Sequence, residues 1–376
     1  MPPSTRKVLI VGGGIAGLTL AIGLRQAGIA VDILEEQPAW RVLGVGISLT
    51  GPTLRALDSL GLIEQCVAVS FGYSQLLVFD LEGAKVGAIE LPRLNGPAYP
   101  AQVAIERRAL HDVLLAAAER AGARIRLGTS ARSFRQDGNA VDIELTDGSR
   151  ARYDLLVGAD GLHSHVRAMA FPDAPAPRFT GLAVWRYTMA RPPEVDCMHL
   201  AYGGGNKPGL NPVSQESMFL FLVQKIETSA RLPADQLPAL LRDQLTPYQG
   251  TLGWVRERIV DPALVDYRPM ESLLVPDPWF RGRVVLIGDA AHTTTPHLAT
   301  GAGIAIEDAV VLAEELAADA TIETALSHYM ERRFERCRLV VDTALLLGEW
   351  EKNPAIPAAD HVKLMRDTYA KLAAPI

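Results

Sequence analysis

The chain has 376 residues, of which 48% are hydrophobic and 21% are charged, and its formal net charge is -6 at pH 7. This negative balance and the lack of a long lysine or arginine run argue against nucleic acid as a partner, because phosphate binding needs a clustered basic surface. Three cysteines, Cys66, Cys197 and Cys337, are odd in number and lack metal-ligand spacing, so neither a disulfide framework nor a metal site is expected, and a cytoplasmic location is favoured.

The first elements in chain order are predicted to form a βαβ unit. Residues 7–11 have the pattern of a buried strand, residues 16–27 that of a helix, and residues 29–34 that of a second strand. The segment from Val8 to Leu24 carries no charge, but five glycines interrupt it. Because a membrane-spanning helix needs about 20 mainly apolar residues, we expect a buried strand and helix here, with no membrane anchor.

A glycine motif, Gly12-x-Gly14-x-x-Gly17, follows the first strand directly. In this context such glycines allow a tight turn, a close approach of the backbone to a pyrophosphate, and packing of the helix on the strand. Glu35 ends the second strand, in position to accept hydrogen bonds from a ribose. The unit therefore predicts a dinucleotide site, with Ala16 and Glu36 beside it, but the motif alone does not separate NAD from FAD.

The following elements alternate between helices and short strands. Helices are predicted at 51–60 and 108–121, antiparallel strands within 76–91, and strands at 141–145 and 154–157, separated by an Asp147-Gly148 turn. Residues 172–278 hold many prolines and aromatic residues, with strand patterns at 182–189 and 218–224. A buried strand at 283–287 and a helix at 301–318 come next, and two or three helices follow within 322–372.

These elements predict an α/β fold in which a Rossmann-like nucleotide-binding domain is discontinuous in sequence. We assign residues 1–75, 100–172 and 279–320 to that domain. Residues 76–99 and 173–278 are assigned to an inserted, mainly antiparallel β-sheet domain that binds substrate, and residues 321–376 to a C-terminal helical segment. Monomer and homodimer both remain open.

Two further motifs follow buried strands. Asp160-Gly161 comes after the strand at 154–157, and Gly288-Asp289 comes after the strand at 283–287. An aspartate at such a turn can bind a ligand hydroxyl while backbone donors hold a phosphate. Two turns of this kind suggest one extended ligand.

The three motifs, in this order, resemble the signature of the single-component FAD-dependent aromatic hydroxylases, such as the p-hydroxybenzoate, salicylate and hydroxypyridine-type enzymes. The resemblance covers residues 7 to 315. It implies that Gly288-Asp289 contacts the ribityl chain of FAD and that Asp160-Gly161 serves both FAD and a transient NADH or NADPH. Arg107 matches an arginine near the flavin, and Arg41, shortly before Gly46, matches a position on the adenosine side.

The resemblance also implies a reaction. Reduced flavin takes up O2 as a C4a-hydroperoxide, which hydroxylates a small aromatic or heteroaromatic substrate, and the protein often removes a phenolic proton. The segment from Thr295 to Asp308 resembles the loop along the flavin ring and the helix that follows it. It includes Pro296 and Gly301-Ala302-Gly303, where many members carry Gly-Gln-Gly.

Candidate residues on the substrate side rest on position alone. His297 lies between the third motif and the flavin-facing helix, where an acid–base group could meet substrate. Arg186 and Tyr187 lie on the first strand of the middle block and are further catalytic candidates. The predicted substrate-binding residues are Ser48, His199, Tyr202 and Pro296.

Other functions share this fold. A flavin-dependent oxidase, dehydrogenase or reductase is the main alternative. A halogenase is disfavoured because the segment from Val195 to Asn211 lacks a WxWxIP sequence. A flavin-binding protein without catalytic activity would need a degenerate ring site, and the intact motifs argue against it.

Overall fold

The computed structural model describes residues 7–41, 45–318, 321–353 and 355–376. The predicted domain bounds at residues 1 and 320 lie outside these ranges. The strands, in chain order, are β1 (Lys7–Val11), β2 (Ala30–Glu35), β3 (Gly46–Leu49), β4 (Phe71–Tyr73), β5 (Gln75–Phe79), β6 (Lys85–Glu90), β7 (Gln102–Glu106), β8 (Arg124–Leu127), β9 (Ala131–Gln136), β10 (Val141–Leu145), β11 (Arg150–Tyr153), β12 (Leu155–Gly158), β13 (Arg178–Ala190), β14 (Met198–Ala201), β15 (Lys207–Pro212), β16 (Ser217–Lys225), β17 (Val265–Leu274), β18 (Phe280–Arg281), β19 (Val284–Leu286) and β20 (His292–Thr293). The helices are α1 (Ile15–Gln26), α2 (Gly51–Ser59), α3 (Ile63–Ala68), α4 (Arg107–Arg120), α5 (His165–Ala170), α6 (Leu237–Gln244), α7 (Gly250–Arg256), α8 (Gly301–Ala317), α9 (Ile322–Glu351) and α10 (Ala358–Leu372).

A six-stranded sheet gathers the three motif-bearing strands. Its order is β18-β19-β12-β1-β2-β8, and every neighbouring pair is parallel except β18 with β19. Helices α4 and α8 both pack on α1, beside this sheet. Because β1, β12 and β19 are adjacent and parallel, their carboxyl ends, which carry the three motifs, meet at one edge of the sheet.

An eight-stranded sheet forms the second layer. Its order is β20-β17-β13-β16-β15-β14-β5-β6, and its pairs are antiparallel except β14 with β5. Thus β5 pairs with β14 of the middle block, and β6 joins the same sheet through β5. One face of this sheet is covered by an apolar cluster that includes residues of α6 and α7.

The observed elements lie within a few residues of the predicted ones, with one change of connection. The Asp147-Gly148 turn joins β10 to β11, which pair antiparallel, and β12 then enters the six-stranded sheet. The sequence pattern did not reveal β11, which is short and rich in arginine. The tail forms two helices, α9 and α10. Across the described ranges, no helix combines the length and apolar character that a membrane span needs.

Candidate active site

The three glycines of the first motif have distinct tasks in the loop between β1 and α1. Gly12 has φ +111°, and a Cβ there would contact the carbonyl group of Ala159, at the end of β12. A Cβ on Gly17 would contact the carbonyl oxygen of Gly12, so this glycine lets α1 pack against the loop. Gly14 is exposed, and a Cβ there would have no neighbour within 4 Å among the described residues. The loop is therefore closed on the protein side and open at Gly14.

Glu35 stabilises this loop. One carboxylate oxygen accepts the backbone N–H of Gly13 at 3.1 Å, and the other accepts the N–H of Gln37 at 2.9 Å. The indole of Trp40 packs on Gly13. Ala16 lies half-buried in the first turn of α1, whereas Glu36 and Arg41 are exposed. Both oxygens of Glu35 are thus partnered by backbone N–H groups of the loop and of the segment after β2, and its contact with a ribose stays a prediction.

Asp160 caps the short helix that follows it. Its carboxylate accepts the hydroxyl of Ser164 at 2.5 Å and the N–H of Val166 at 3.1 Å, while Gly161 has φ +79°. Arg167, buried in the next turn, donates to the carbonyl of Ala290 at 2.9 Å. This arginine ties the second motif to the third, which explains how two segments more than 120 residues apart form one surface.

The third motif presents an accessible carboxylate. Gly288 has φ +58°, and its N–H donates to the carboxylate of the buried Asp308 at 2.9 Å. Asp289 is exposed to solvent, yet the surrounding protein raises the pKa of its carboxyl group by desolvation, against the opposing charges of His292 and Arg107. Arg107, at the start of α4, is also exposed, so both side chains are accessible to a ligand.

A network of buried charged side chains hydrogen-bonds to the backbone of the third motif. The guanidinium of Arg333, with no exposed surface, donates to Asp308 at 2.8 Å and to Glu307 at 2.8 Å. His292 bonds the other Asp308 oxygen at 2.5 Å. Burial alone would raise the pKa of Asp308, but the charges of His292 and Arg333 hold it at about 2. These bonds therefore hold the turn at Gly288-Asp289 against α8 and α9.

The loop before α8 contains one residue in the left-handed region. Ala299 has φ +50°, the left-handed region that suits glycine, and α8 begins at Gly301. Gly301-Ala302-Gly303 forms the first turn of α8, and Thr300 occupies its N-cap position. Left-handed backbone at a residue other than glycine costs roughly 1–2 kcal/mol. Thr300 is buried, and no described residue hydrogen-bonds its hydroxyl.

Strand register decides which side chains face the cleft between the sheet layers. Directly paired residues share a face, and Tyr187 pairs with Leu220, Leu220 with Leu210, and Leu210 with His199. Leu210 and Leu220 belong to the apolar cluster under α6 and α7, where the Tyr187 hydroxyl donates to the carbonyl of Arg258 at 3.0 Å. Tyr187 and His199 therefore lie on the face away from the first layer, which corrects their predicted roles in catalysis and substrate binding.

The opposite face of the sheet carries Arg186, whose register partner is Phe221. Phe219 lies two residues earlier on the same face, and a Cβ on Gly46 would contact its ring. The rings of Phe219 and Phe221 are 6.0 Å apart, which gives this face an aromatic floor. Arg186 pairs with Asp266 at 3.5 Å. Gly46 thus lies against the aromatic floor.

Ser48 belongs to a chain of polar side chains between β3 and the cleft face. The amide of Asn211 donates to Ser48 at 3.0 Å, and the hydroxyl of Tyr73 donates to the Asn211 carbonyl at 3.0 Å. Gln102 in turn donates to Tyr73 at 2.8 Å. All four side chains are buried or half-buried, so this hydrogen-bonded series forms a polar wall at one end of the aromatic floor.

The other end of the floor has a charged wall. His297, in the loop before α8, bonds Glu351 at the end of α9 at 3.2 Å, and Glu351 bonds Lys207 of β15 at 2.5 Å. Tyr202 is half-buried close to Lys207, whose pKa it helps to raise. Pro296 is half-buried beside His297. The structure therefore brings His297, Tyr202 and Pro296 near two charged residues, Lys207 and Glu351, and their roles toward substrate stay predictions.

Comparison with known proteins agrees with this geometry. The family model described as "FAD binding domain" matches residues 5–344. The chain belongs to the family of FAD-dependent aromatic hydroxylases. This hydroxylase-family chain is 32% identical over 333 residues to the putative FAD-dependent monooxygenase YetM of Bacillus subtilis, covering 88% of this chain and 90% of that protein. It is 31% identical to the aurachin C monooxygenase/isomerase of Stigmatella aurantiaca, covering 96% and 93%.

The fold agrees as well. The crystal structure of Klebsiella pneumoniae HpxO complexed with FAD and uric acid superposes with a TM-score of 0.84 at 25% identity, covering 98% of this chain and 92% of that one. The hydroxylase-family chain is thus an oxidoreductase, an FAD-dependent monooxygenase. The predictions of family, fold class and FAD are confirmed.

The residues of this hydroxylase-family chain fit FAD. The open approach at Gly14 faces the N-terminus of α1, whose free N–H groups favour a pyrophosphate. Asp289 and Arg107 are both exposed and close enough for their charges to interact, and the buried hydroxyl of Thr300, which no described residue hydrogen-bonds, lies at the N-terminus of α8. Donors at that helix end favour negative charge on a bound ring system.

Several residues of this site carry no signal in the sequence. Arg167, Lys207, Asn211, Arg333 and Glu351 act through partners far away along the chain. A single strand or helix pattern says nothing about such partners. Thr300 is different, because its place before a glycine-rich helix start could have indicated it.

Proposed function

We propose that this monooxygenase uses NADH or NADPH and O2 to hydroxylate a small aromatic or heteroaromatic substrate that lies flat on the Phe219 and Phe221 floor. The observation that supports this most directly is the floor itself, which is bounded by a polar wall at one end and a charged wall at the other. The relative of known structure that binds uric acid, a nitrogen heterocycle, agrees with a substrate of this shape.

In this proposal the protein binds, orients and shields. Gly12, Gly14 and Gly17 shape the loop that receives the pyrophosphate, Glu35 faces the ribose, and Asp289 holds the ribityl chain. FAD, when bound, supplies the redox chemistry, which is the acceptance of hydride and the activation of oxygen. The aromatic floor and the buried wall around Asn211 exclude water from the substrate.

Charge at the cleft supports a transient dinucleotide partner. Arg107, Arg186 and Arg268 lie close enough for their charges to interact, together with Asp266 and Asp289. Three guanidinium groups against two carboxylates leave a positive balance, which favours an anion such as NAD(P)H. Arg268 is about half-exposed, so this positive surface is accessible from solvent. In this role Arg186 would bind the dinucleotide rather than take part in proton transfer.

The test is NAD(P)H oxidation by the FAD-loaded enzyme, with and without a panel of phenols and hydroxypyridines. A hydroxylase should show slow oxidation alone and faster oxidation, with oxygen incorporated into product, when a substrate binds. Oxidation of a substrate without NAD(P)H would favour an oxidase or dehydrogenase instead. No oxidation with any member of the panel would favour a flavin-binding protein without catalytic activity.

Alanine substitutions at Asp160 and Asp289 should have different effects on FAD binding, stability and flavin reduction. Asp289→Ala should weaken FAD binding by about 1.5–3 kcal/mol, because a charge-assisted hydrogen bond is lost. Asp160→Ala removes the cap on α5, so we expect a stability loss of about 1 kcal/mol and slower flavin reduction by NAD(P)H. Stopped-flow reduction of FAD-saturated protein measures the second effect. If the Asp160 variant is reduced at the parental rate at every NAD(P)H concentration, Asp160 is a capping residue alone.

A further inference from the structure

A group of metal-ligating side chains lies at the start of β14, outside the nucleotide site. Asp196, Cys197 and His199 each offer one ligand atom, and these three atoms lie within 4.8 Å of one another. Ligand atoms around a tetrahedral zinc ion are about 3.3–3.8 Å apart, because the metal–ligand bonds are about 2.0–2.3 Å long. The Asp196 side chain is exposed, so its rotation can close the difference. The spacing therefore suits a metal cation.

His199 is the member of this group whose environment calls for a ligand. The residue is 6% exposed, and its Nε2 atom has no hydrogen-bond partner among the described residues. A buried polar atom without a protein partner needs an explanation, such as a bound water or ion. The imidazole packs against the ring of Phe79, with 4.7 Å between the centroids. Burial lowers the pKa of His199, which favours the neutral imidazole that metal ions bind.

The charges around Cys197 also favour a cation. Burial and the Asp196 carboxylate, which accepts a hydrogen bond from the thiol, raise the pKa of Cys197 to about 12, so the thiol is protonated in the metal-free protein. The charge of Glu194 reaches His199, and that of Lys85, in β6, reaches Cys197. Two carboxylates and one ammonium group leave this surface with a negative balance, which attracts cations.

A second group with similar spacing lacks these properties. His292, Asp308 and Cys337 lie within the same limit of 4.8 Å, but all three are fully buried. The Asp308 carboxylate already accepts hydrogen bonds from Arg333 and from the N–H of Gly288. A metal ion at this place would lie beside the Arg333 guanidinium, whose positive charge opposes binding. The group at the start of β14 has an exposed carboxylate and a negative balance instead.

We propose that Asp196, Cys197 and His199 bind a Zn²⁺ ion, with water as the fourth ligand. The S–H bond of Cys197 breaks as the zinc–sulfur bond forms, its proton passes to solvent, and no electrons are exchanged. The thiolate and the Asp196 carboxylate then neutralise the two positive charges of the ion. Cysteine spacing did not indicate this site, because two of its three donors are not cysteines.

The location of the site gives it a structural connection to the cleft. Cys197 packs in one apolar cluster with Tyr73 and Phe219, so a bound ion would lie next to side chains that support the aromatic floor. The proposed ligands take no part in the proposed hydroxylation. The metal site and the proposed function can therefore be tested separately.

The test uses Co²⁺ as a spectroscopic substitute for Zn²⁺, with FAD-loaded enzyme prepared without an affinity tag. Difference spectra against the metal-free holoenzyme should show a thiolate-to-cobalt charge-transfer band that saturates at a single bound ion per chain. Added Zn²⁺ should displace Co²⁺ and abolish the band. Cys197→Ser should remove the band, whereas Cys66→Ser should keep it, because Cys66 is a buried cysteine outside both groups.

Asp196→Asn provides an independent variant, because Asp196 is exposed and its replacement should not affect folding. It should weaken Co²⁺ binding at least about tenfold, since the loss of a residue that only supports a metal ligand already costs roughly 10–100-fold in affinity. Glu194→Gln is the matched control, because it removes the same charge two residues earlier without removing a ligand, and exposed charges interact weakly in water. Its effect should be clearly smaller. The site is overturned if the parental enzyme shows no charge-transfer band, if the band survives Cys197→Ser, or if the Asp196 and Glu194 variants bind Co²⁺ equally.

Discussion

Replacing Arg333 with methionine should lower the free energy of unfolding by about 3–5 kcal/mol, because two buried carboxylates each lose a charge-assisted hydrogen bond, which is worth about 1.5–3 kcal/mol. Arg333 has no exposed surface and donates to both Asp308 and Glu307. Arg336 still neutralises Glu307 in the variant, so the main cost falls on Asp308. Since Asp308 accepts the N–H of Gly288, FAD retention should fall as well.

Urea unfolding of the apoprotein, followed by tryptophan fluorescence, measures the stability loss without a contribution from the cofactor. Arg338→Met is the matched control, because Arg338 lies on the same helix and pairs with Glu335 on the surface. An exposed pair of this kind contributes about 1 kcal/mol or less. Equal unfolding free energies for the two variants would show that the buried network does not stabilise the fold.

Alanine substitutions at Gly12 and Gly14, the first two glycines of the Gly-x-Gly-x-x-Gly motif, should have opposite effects on stability and on FAD binding. Gly14→Ala should leave the apoprotein folded, at a cost of about 1 kcal/mol or less for the changed helix cap, because the added methyl group meets no atom of the described residues within 4 Å. It should weaken FAD binding at least about tenfold, or about 1.4 kcal/mol, because the methyl group projects where the pyrophosphate approaches the backbone.

Gly12→Ala should destabilise the apoprotein itself. Its methyl group would meet the backbone of Ala159, and φ +111° is unfavourable for alanine, a strain of about 1–3 kcal/mol before the clash is counted. FAD titration and urea unfolding of both variants separate the two effects. A Gly14 variant that binds FAD with parental affinity would place the pyrophosphate elsewhere.

Local patterns were enough to predict the elements of the nucleotide layer. In β1, α1 and β2 the turn glycines, the uninterrupted apolar strand and the terminal Glu35 all lie within 30 residues, so the sequence contains the full unit. The three motifs were likewise predicted at strand ends, where they are found. The carboxylate of Asp160 was harder to assign, because Ser164 and Val166 use it as a helix cap.

The sequence could not predict which side chains of β13 point to which face of the eight-stranded sheet. Residues 182–185 and Tyr187 of β13 are all buried, because helices cover one face and the nucleotide layer and α9 cover the other. Without alternation between apolar and polar residues, the sequence cannot say whether Arg186 or Tyr187 points to the cleft. Only the pairing with β16 settles it. The carboxylate partner of His297 is also distant in sequence, since Glu351 lies 54 residues away.

The discontinuous nucleotide sheet sets the order of events on the ribosome. Strand β1 cannot pair with β12 until Leu155 and its neighbours have been synthesised. Strand β12 in turn cannot pair with β19 until Val284 and its neighbours have been synthesised. At a synthesis rate of about 5–20 residues per second, the interval between β12 and β19 is on the order of ten seconds. During this interval one edge of β12, a fully apolar strand, has no partner. In the proposed function Asp289 and the N-terminus of α8 complete the FAD site, so the nascent chain should not retain FAD until both have emerged. Until then the unpaired strand edge is prone to aggregation and is a site for chaperones to protect.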